Sequence, residues 1–202
     1  IAVDETGTIV DGDHIMILGA VYLKKQNKLA NDTLVVTTMS NIGLHVAAKE
    51  YGIDLAITDV GDRYVIEEMK KSGHNLGGEQ SGHMIFLDYN TTGDGTLSSL
   101  IVSKIVKEEG KTLSEQSALM TTYPQVLINV EVRNEVKNKF MENDEIRTEI
   151  EKLEKLMAGT GRVLIRPSGT QPLVRVMLEG KDEGQIRELA QGLADLIKEK
   201  LA

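Results

Sequence analysis

A chain of 202 residues with a formal net charge of −8 and 41% hydrophobic residues can bury the core of one large domain or two small ones. Its acidic balance argues against a nucleic-acid partner, which demands clustered Lys and Arg, and no apolar run is long enough to cross a membrane. Zero Cys excludes disulfides and thiolate metal sites and fits a reducing, cytoplasmic setting; no signal peptide is read, and zero Trp with two Phe leaves little aromatic surface for stacking.

Ile1 to Val10 reads as a hairpin turning at Glu5-Thr6-Gly7. The chain starts inside this apolar strand without a Met, so a fragment is expected. Asp11-Gly12-Asp13 opens a helix predicted to run to about Leu29, with Ile15, Met16, Leu18, Gly19, Tyr22 and Leu23 at helical spacing. Thr33–Thr38 and Asp54–Asp59 read as strands. Asn41–Tyr51 and Gly61–Ser72 read as helices stopped by Gly52 and Gly73. Asn75–Gly78 and Met84–Leu87 are strands around a loop, and Asp94 caps a helix to Lys107. That alternation predicts a βαβ domain with a largely parallel sheet.

The pattern changes after Gly110. A strand at Val126–Val132, an amphipathic helix at Asp144–Met157, strands at Arg162–Ile165 and Leu173–Leu178, and a helix from Asp182 to Leu201 suit a small α+β domain with an antiparallel sheet. The boundary falls in the Ser- and Thr-rich stretch at 110–125, which contains Pro124.

Arg166-Pro167-Ser168-Gly169-Thr170-Gln171-Pro172 has the chemistry of a phosphate cradle. Arg is a forked, permanently charged donor. The hydroxyls donate at shorter range, and Gly lets backbone N–H groups approach an anion. Arg175 follows closely, and the loop holds no carboxylate. The competing reading is a Ser-Gly hairpin turn with a solvated Arg. Gly77-Gly78-Glu79-Gln80-Ser81-Gly82-His83 offers a carboxylate, an amide, a hydroxyl and an imidazole for sugar hydroxyls or an amine, in the position where α/β sheets bind ligands. Its alternative is a polar turn.

Gly61-Asp62-Arg63 could hold an anion at a helix start, but Asp as a cap and Arg in a surface pair is the favoured reading. Thr91-Thr92-Gly93-Asp94-Gly95 reads as an ordinary capped start. Asp11-Gly12-Asp13-His14 is not read as a metal site, because no third ligand is near in sequence. His14, His45 and His74 are read as structural. No Ser/His/Asp triad, P-loop or dinucleotide fingerprint is present.

Val60-Gly61-Asp62-Arg63-Tyr64-Val65, Gly78-Glu79-Gln80-Ser81-Gly82-His83, Thr91-Thr92-Gly93-Asp94-Gly95 and Arg166-Pro167-Ser168-Gly169-Thr170 with Pro172 occur in one order across the chain. Together they resemble the α-D-phosphohexomutase superfamily. Gln80 and the Thr91–Gly95 stretch favour its glucosamine branch over the phosphomannomutases and phosphoglucomutases, which remain the alternative together with a stand-alone phosphosugar-binding module. The resemblance implies an isomerase interconverting glucosamine 6-phosphate and glucosamine 1-phosphate through a phosphoserine and a bisphosphate. It implies that residues 1–10 end a second domain and that 11–120 form the α/β sugar-specificity domain. Residues 121–202 would be a TATA-binding-protein-like α+β domain that binds the substrate phosphate.

By resemblance, the phosphate contacts are Arg166, Ser168, Gly169, Thr170 and Arg175. The sugar contacts are Glu79, Ser81 and His83, with Asp62 and Arg63 as possible additions. The family's serine loop and Mg²⁺ loop are absent, so no catalytic or metal residue is expected here; the missing N-terminal domains are expected partners, and this fragment alone is expected to be inactive. Gln171 replaces the usual Glu of the family.

Overall fold

The structure, a computed structural model, describes residues 1–201. They divide into two compact units, with the boundary in sequence between Thr122 and Tyr123.

The first unit opens with strands β1 (Ala2–Val3) and β2 (Ile9–Val10), paired antiparallel. The Asp4 carboxylate holds the turn by accepting the N–H groups of Thr6 and Thr8, both at 2.9 Å, and the Thr6 hydroxyl at 2.7 Å. Helix α1 (Gly12–Lys25) follows, capped by Asp11 and buried along most of its length. It ends at Lys25 rather than Leu29. The Gln26 N–H closes onto Leu23 and Lys24 carbonyls, and Asn27 turns left-handed at φ 57°, a conformation that Asn tolerates better than most residues. A 3₁₀ turn at Ala30–Asp32 then leads into the sheet.

Strands β3 (Thr33–Thr37) and β4 (Asp54–Thr58), helices α2 (Ile42–Glu50) and α3 (Asp62–Ser72), and strands β5 (Leu76–Gly78) and β6 (Met84–Phe86) build the domain. The sheet order is β4-β3-β5-β6, with β6 antiparallel at the edge and the other pairings parallel. Leu34, Val35 and Val36 are apolar in succession because β3 is covered on both faces. Leu34 and Val36 join the core of α1 and α2, while Val35 packs with Val65 and Met69 of α3. Helix α4 (Gly95–Glu109) is followed by a short α5 (Leu113–Ser117), closed by a reciprocal Thr112–Glu115 capping box.

The second unit holds β7 (Gln125–Glu131), a 3₁₀ turn at Lys137–Glu142, α6 (Asp144–Met157), β8 (Gly161–Pro167), β9 (Leu173–Gly180) and α7 (Glu183–Leu201). The sheet is antiparallel in the order β7-β9-β8. Val126, Val130, Val174, Val176 and Leu178 face the apolar stripes of α6 and α7, including Ile146, Ile150, Leu193 and Ile197. Strand alternation therefore puts Arg162, Arg166, Arg175 and Glu179 on the sheet face away from the helices. An α/β unit followed by a small α+β unit is the architecture that the sequence implies.

Candidate functional site

In the first unit the ends of β3, β4 and β5 converge, because parallel strands present their C-termini on one edge. Glu79 to His83 form the hairpin loop between β5 and β6. The Glu79 N–H donates to the His83 carbonyl at 2.9 Å, and the Gly82 N–H donates to the Glu79 carbonyl at 2.9 Å. Gly82 carries the positive φ (104°) that this tight return needs. Beside the loop lies a cavity of about 430 Å³ lined by Asp11, Thr37, Met39, Val60, Glu79, Gln80 and Ser81. One oxygen of the Glu79 carboxylate accepts the Gly61 N–H at 3.0 Å.

The cavity brings Glu79 and Ser81 together. His83 is exposed, with its ring beside Gly93, and does not line it. Asp62 accepts the Arg63 N–H at 2.8 Å, and Arg63 pairs with Glu67 across one helical turn, also at 2.8 Å. Neither lines the cavity; Val60, just before them, does. Sequence reasoning missed Thr37 and Met39 as lining residues and took Asp11 only as a cap. A usable signal for Thr37 was its place at the end of a central parallel strand.

Asp11 is both cap and wall. Its carboxylate accepts the His14 N–H at 3.2 Å and bonds the His14 ring at 2.7 Å, and the Gln80 amide approaches it at 3.4 Å. Burial pushes its pKa up, but the His14 hydrogen bonds and charge and the Gln80 amide outweigh burial and hold it below the ordinary carboxylate value.

In the second unit Arg166 and Arg175 are register partners on β8 and β9, and the β7 neighbour of Arg175 is Asn129. Burial lowers the Arg166 pKa, and the adjacent Arg175 charge lowers it further. The Arg175 Nε is buried without a hydrogen-bond partner. Ser168 is buried; its N–H donates to the Leu173 carbonyl at 2.9 Å, and its hydroxyl oxygen accepts the Gln171 N–H at 3.2 Å. That second bond shapes the turn and leaves the hydroxyl proton free to donate elsewhere. Gly169 and Thr170 are exposed. Lys137 Nζ donates to the Gln171 carbonyl at 3.2 Å, adding a third cation near the loop. Two opposed guanidinium groups beside a hydroxyl-bearing turn have the charge and donor chemistry to attract an anion.

No group of three or more His, Asp or Glu side chains that could hold a metal stands among the described residues. No helix among them is long and apolar enough to cross a membrane.

Two family models account for most of the sequence. Residues 11–123 match the phosphoglucomutase/phosphomannomutase alpha/beta/alpha domain III, and residues 127–196 match the C-terminal domain of the same family. The chain belongs to the phosphoglucomutase/phosphomannomutase family. Among curated relatives in this family, the phosphoglucosamine mutase of Clostridioides difficile (strain 630) is 70% identical over 202 residues, covering the whole chain and 45% of that relative. The phosphoglucosamine mutase of Thermoanaerobacter sp. (strain X514) is 62% identical over 201 residues, again covering 45% of its length. The chain thus spans less than half the length of these relatives. Among solved structures, the Aspergillus fumigatus N-acetylphosphoglucosamine mutase in complex with GlcNAc-6P and magnesium matches with TM-score 0.79 at 21% identity, over 99% of this chain and 46% of that one. A phosphoglucomutase/phosphomannomutase family protein from Burkholderia thailandensis matches with TM-score 0.77 at 18% identity, over 99% and 44%. At these identities the two structures establish the fold.

Proposed function

We propose that this chain is the substrate-binding half of a cytoplasmic phosphoglucosamine mutase. The complete enzyme would interconvert glucosamine 6-phosphate and glucosamine 1-phosphate through a phosphoserine and a bisphosphate intermediate. The observation that carries the reading is the opposed pair Arg166–Arg175 beside Ser168, Gly169 and Thr170, in a chain 70% identical to a phosphoglucosamine mutase.

Residues 11–120 supply the sugar site, and residues 121–202 supply the phosphate site. Glu79 and Ser81 bind sugar hydroxyls or the amine from the cavity wall, with His83, Asp62 and Arg63 at its margin. Arg166, Arg175, Ser168 and the backbone of Gly169 and Thr170 hold the phosphate that is not reacting. The opposite end of the sugar is thereby presented to the phosphoserine, which belongs to the part of the enzyme outside this chain. Such a seat serves both orientations of the bisphosphate, because the anion is the same at either end. Positioning and charge neutralisation are what phosphoryl transfer requires of these residues. A Mg²⁺ held elsewhere in the complete enzyme would supply charge neutralisation to the transferring group.

The test is a coupled assay of the complete enzyme for glucosamine 1-phosphate formation, with Mg²⁺ and a bisphosphate activator. Turnover is expected from the complete enzyme and none from this chain alone. A complete enzyme that prefers mannose or glucose phosphates would move the reading to another branch of the family.

A further inference from the structure

The turn Asp11-Gly12-Asp13 is not explained by phosphate or sugar binding, yet it touches both walls of the cavity. Its contacts diverge from consecutive residues. Asp11 approaches the Gln80 amide. The Gly12 N–H donates to the Gln80 carbonyl at 3.0 Å. The Asp13 carboxylate, fully buried, accepts the Asn41 N–H at 2.7 Å. Gln80 belongs to the hairpin that carries Glu79 and Ser81. Asn41 ends the connection from β3, whose last residue is Thr37, to α2; that connection carries Met39, and Asn41 caps α2 through its bond from the Gly43 N–H at 2.9 Å. A Cβ at Gly12 would stand 2.1 Å from the Glu79 carbonyl oxygen and 2.7 Å from that of Gln80, so the hairpin backbone closes onto this position only because it is glycine.

We propose that Asp11, Gly12 and Asp13 are positioning residues that set the spacing of the two cavity walls, and through it the choice of sugar. The buried Asp13 carboxylate anchors one wall, and the glycine contact anchors the other. Both are fixed to the rigid first turn of α1, which is buried in the core. Displacement of a binding group by about 1 Å can cost on the order of a hundredfold in rate, so small changes at Gly12 and Asp13, which do not line the cavity, should reach the substrate without touching it. The effect on substrate rests on the proposed mutase activity; the effect on the walls does not.

The experiment compares Asp13→Ala, Asp13→Asn, Gly12→Ala and Asp11→Asn with wild type in the complete enzyme. Kinetics are measured with glucosamine, glucose and mannose 6-phosphates, and amide hydrogen exchange is measured alongside. Asp13→Ala should speed exchange at residues 38–41, and Gly12→Ala should speed it at 79–82. Both should raise KM by about tenfold and change the sugar ranking. Asp13→Asn keeps an acceptor oxygen for the Asn41 N–H and should restore most of the loss. Thr112→Ala removes the α5 cap, whose side chain accepts the Glu115 N–H, away from the cavity; it should lower the melting temperature without altering KM or ranking. If Asp13→Ala does not fold, Gly12→Ala decides by the same measures. Unchanged exchange at both walls, or KM and ranking within about twofold of an active wild type, overturns the proposal. A wild type inactive on all three sugars would instead overturn the functional reading, while exchange still judges the positioning.

Discussion

Arg166 and Arg175 face each other directly across β8 and β9. Like charges at opposed positions on one sheet face are destabilising, by a few tenths to about 1 kcal/mol. Four positions along the same face the arrangement is the reverse: Arg162 opposes Glu179 and pairs with it at 2.7 Å. The strand pair therefore holds one neutralised pair and one cationic pair, and the cationic pair adjoins the turn at Ser168.

Replacing Arg175 with Met keeps its aliphatic packing and removes the repulsion. The Arg175→Met chain should melt no lower than wild type while binding glucosamine 6-phosphate more weakly. Charge-assisted hydrogen bonds contribute about 1.5–3 kcal/mol each, which is roughly tenfold or more in affinity. Calorimetric unfolding and titration on the same sample check both halves. Lower stability with unchanged affinity would make Arg175 a packing residue.

Arg162 and Glu179 predict the opposite behaviour. The Glu179 side chain is fully buried, and Arg162 retains 20% exposure. Arg162→Met leaves that carboxylate in the interior without this partner. The expected loss is about 3 kcal/mol, at the lower end for a broken buried pair because Arg162 is partly in water. Urea unfolding of the second unit measures it. Phosphosugar affinity, corrected for the unfolded fraction, should change far less than in Arg175→Met.

Asp11 gives a pH-dependent outcome. Its folded pKa lies below the ordinary value of 3.8. A depressed carboxylate stabilises the fold above its unfolded pKa, and that contribution is lost as pH falls through the lower, folded value. Burial acts upward on this group, and the His14 bonds and charge act downward. His14→Ala should therefore move the Asp11 titration upward, so that less stability is lost from this group as the pH falls from its unfolded to its folded pKa. Carboxyl carbon shifts of Asp11 in the two proteins are the measurement. An unmoved midpoint would mean that the ring at 2.7 Å does not govern this carboxylate.

The elements were legible where local chemistry decides them. Asn41, Asp94 and Asn143 cap helices through their side chains, and Gly73 and Gly110 end helices in the left-handed conformation. The capping box at Thr112–Glu115 carried the same kind of signal, but it sat in a stretch taken for a boundary. The end of α1 was harder, because apolar spacing continues to Leu29 while Asn27 breaks the helix. The arginine loop and the Glu79 hairpin are contiguous in sequence and could be read directly. The cavity wall could not: Thr37 and Ser81 meet only because β3 pairs with β5. Nor does sequence show that Arg166 and Arg175 are opposed, since that depends on the register across the turn.

Sugar choice and phosphate capture should separate by mutation. The Glu79 carboxylate is held by the Gly61 N–H at 3.0 Å, so it is oriented before substrate arrives. Its remaining acceptor capacity and the exposed Ser81 lie at the cavity. A site built to hydrogen-bond a hydroxyl or amine is left with unpaired polar groups when the ligand lacks it, and so discriminates strongly. In the proposed function Arg166 contacts the phosphate, a group common to every phosphosugar. Glu79→Gln and Ser81→Ala should therefore reorder kcat/KM among glucosamine, glucose and mannose 6-phosphates in the complete enzyme. Arg166→Ala should lower all three together by roughly tenfold or more. Glu79→Gln also alters the acceptor for the Gly61 N–H, whereas Ser81→Ala does not, so agreement between the two variants separates sugar contact from loop support. If neither variant reorders the sugars, the choice is made outside this cavity, and the hairpin serves only to shape the domain edge.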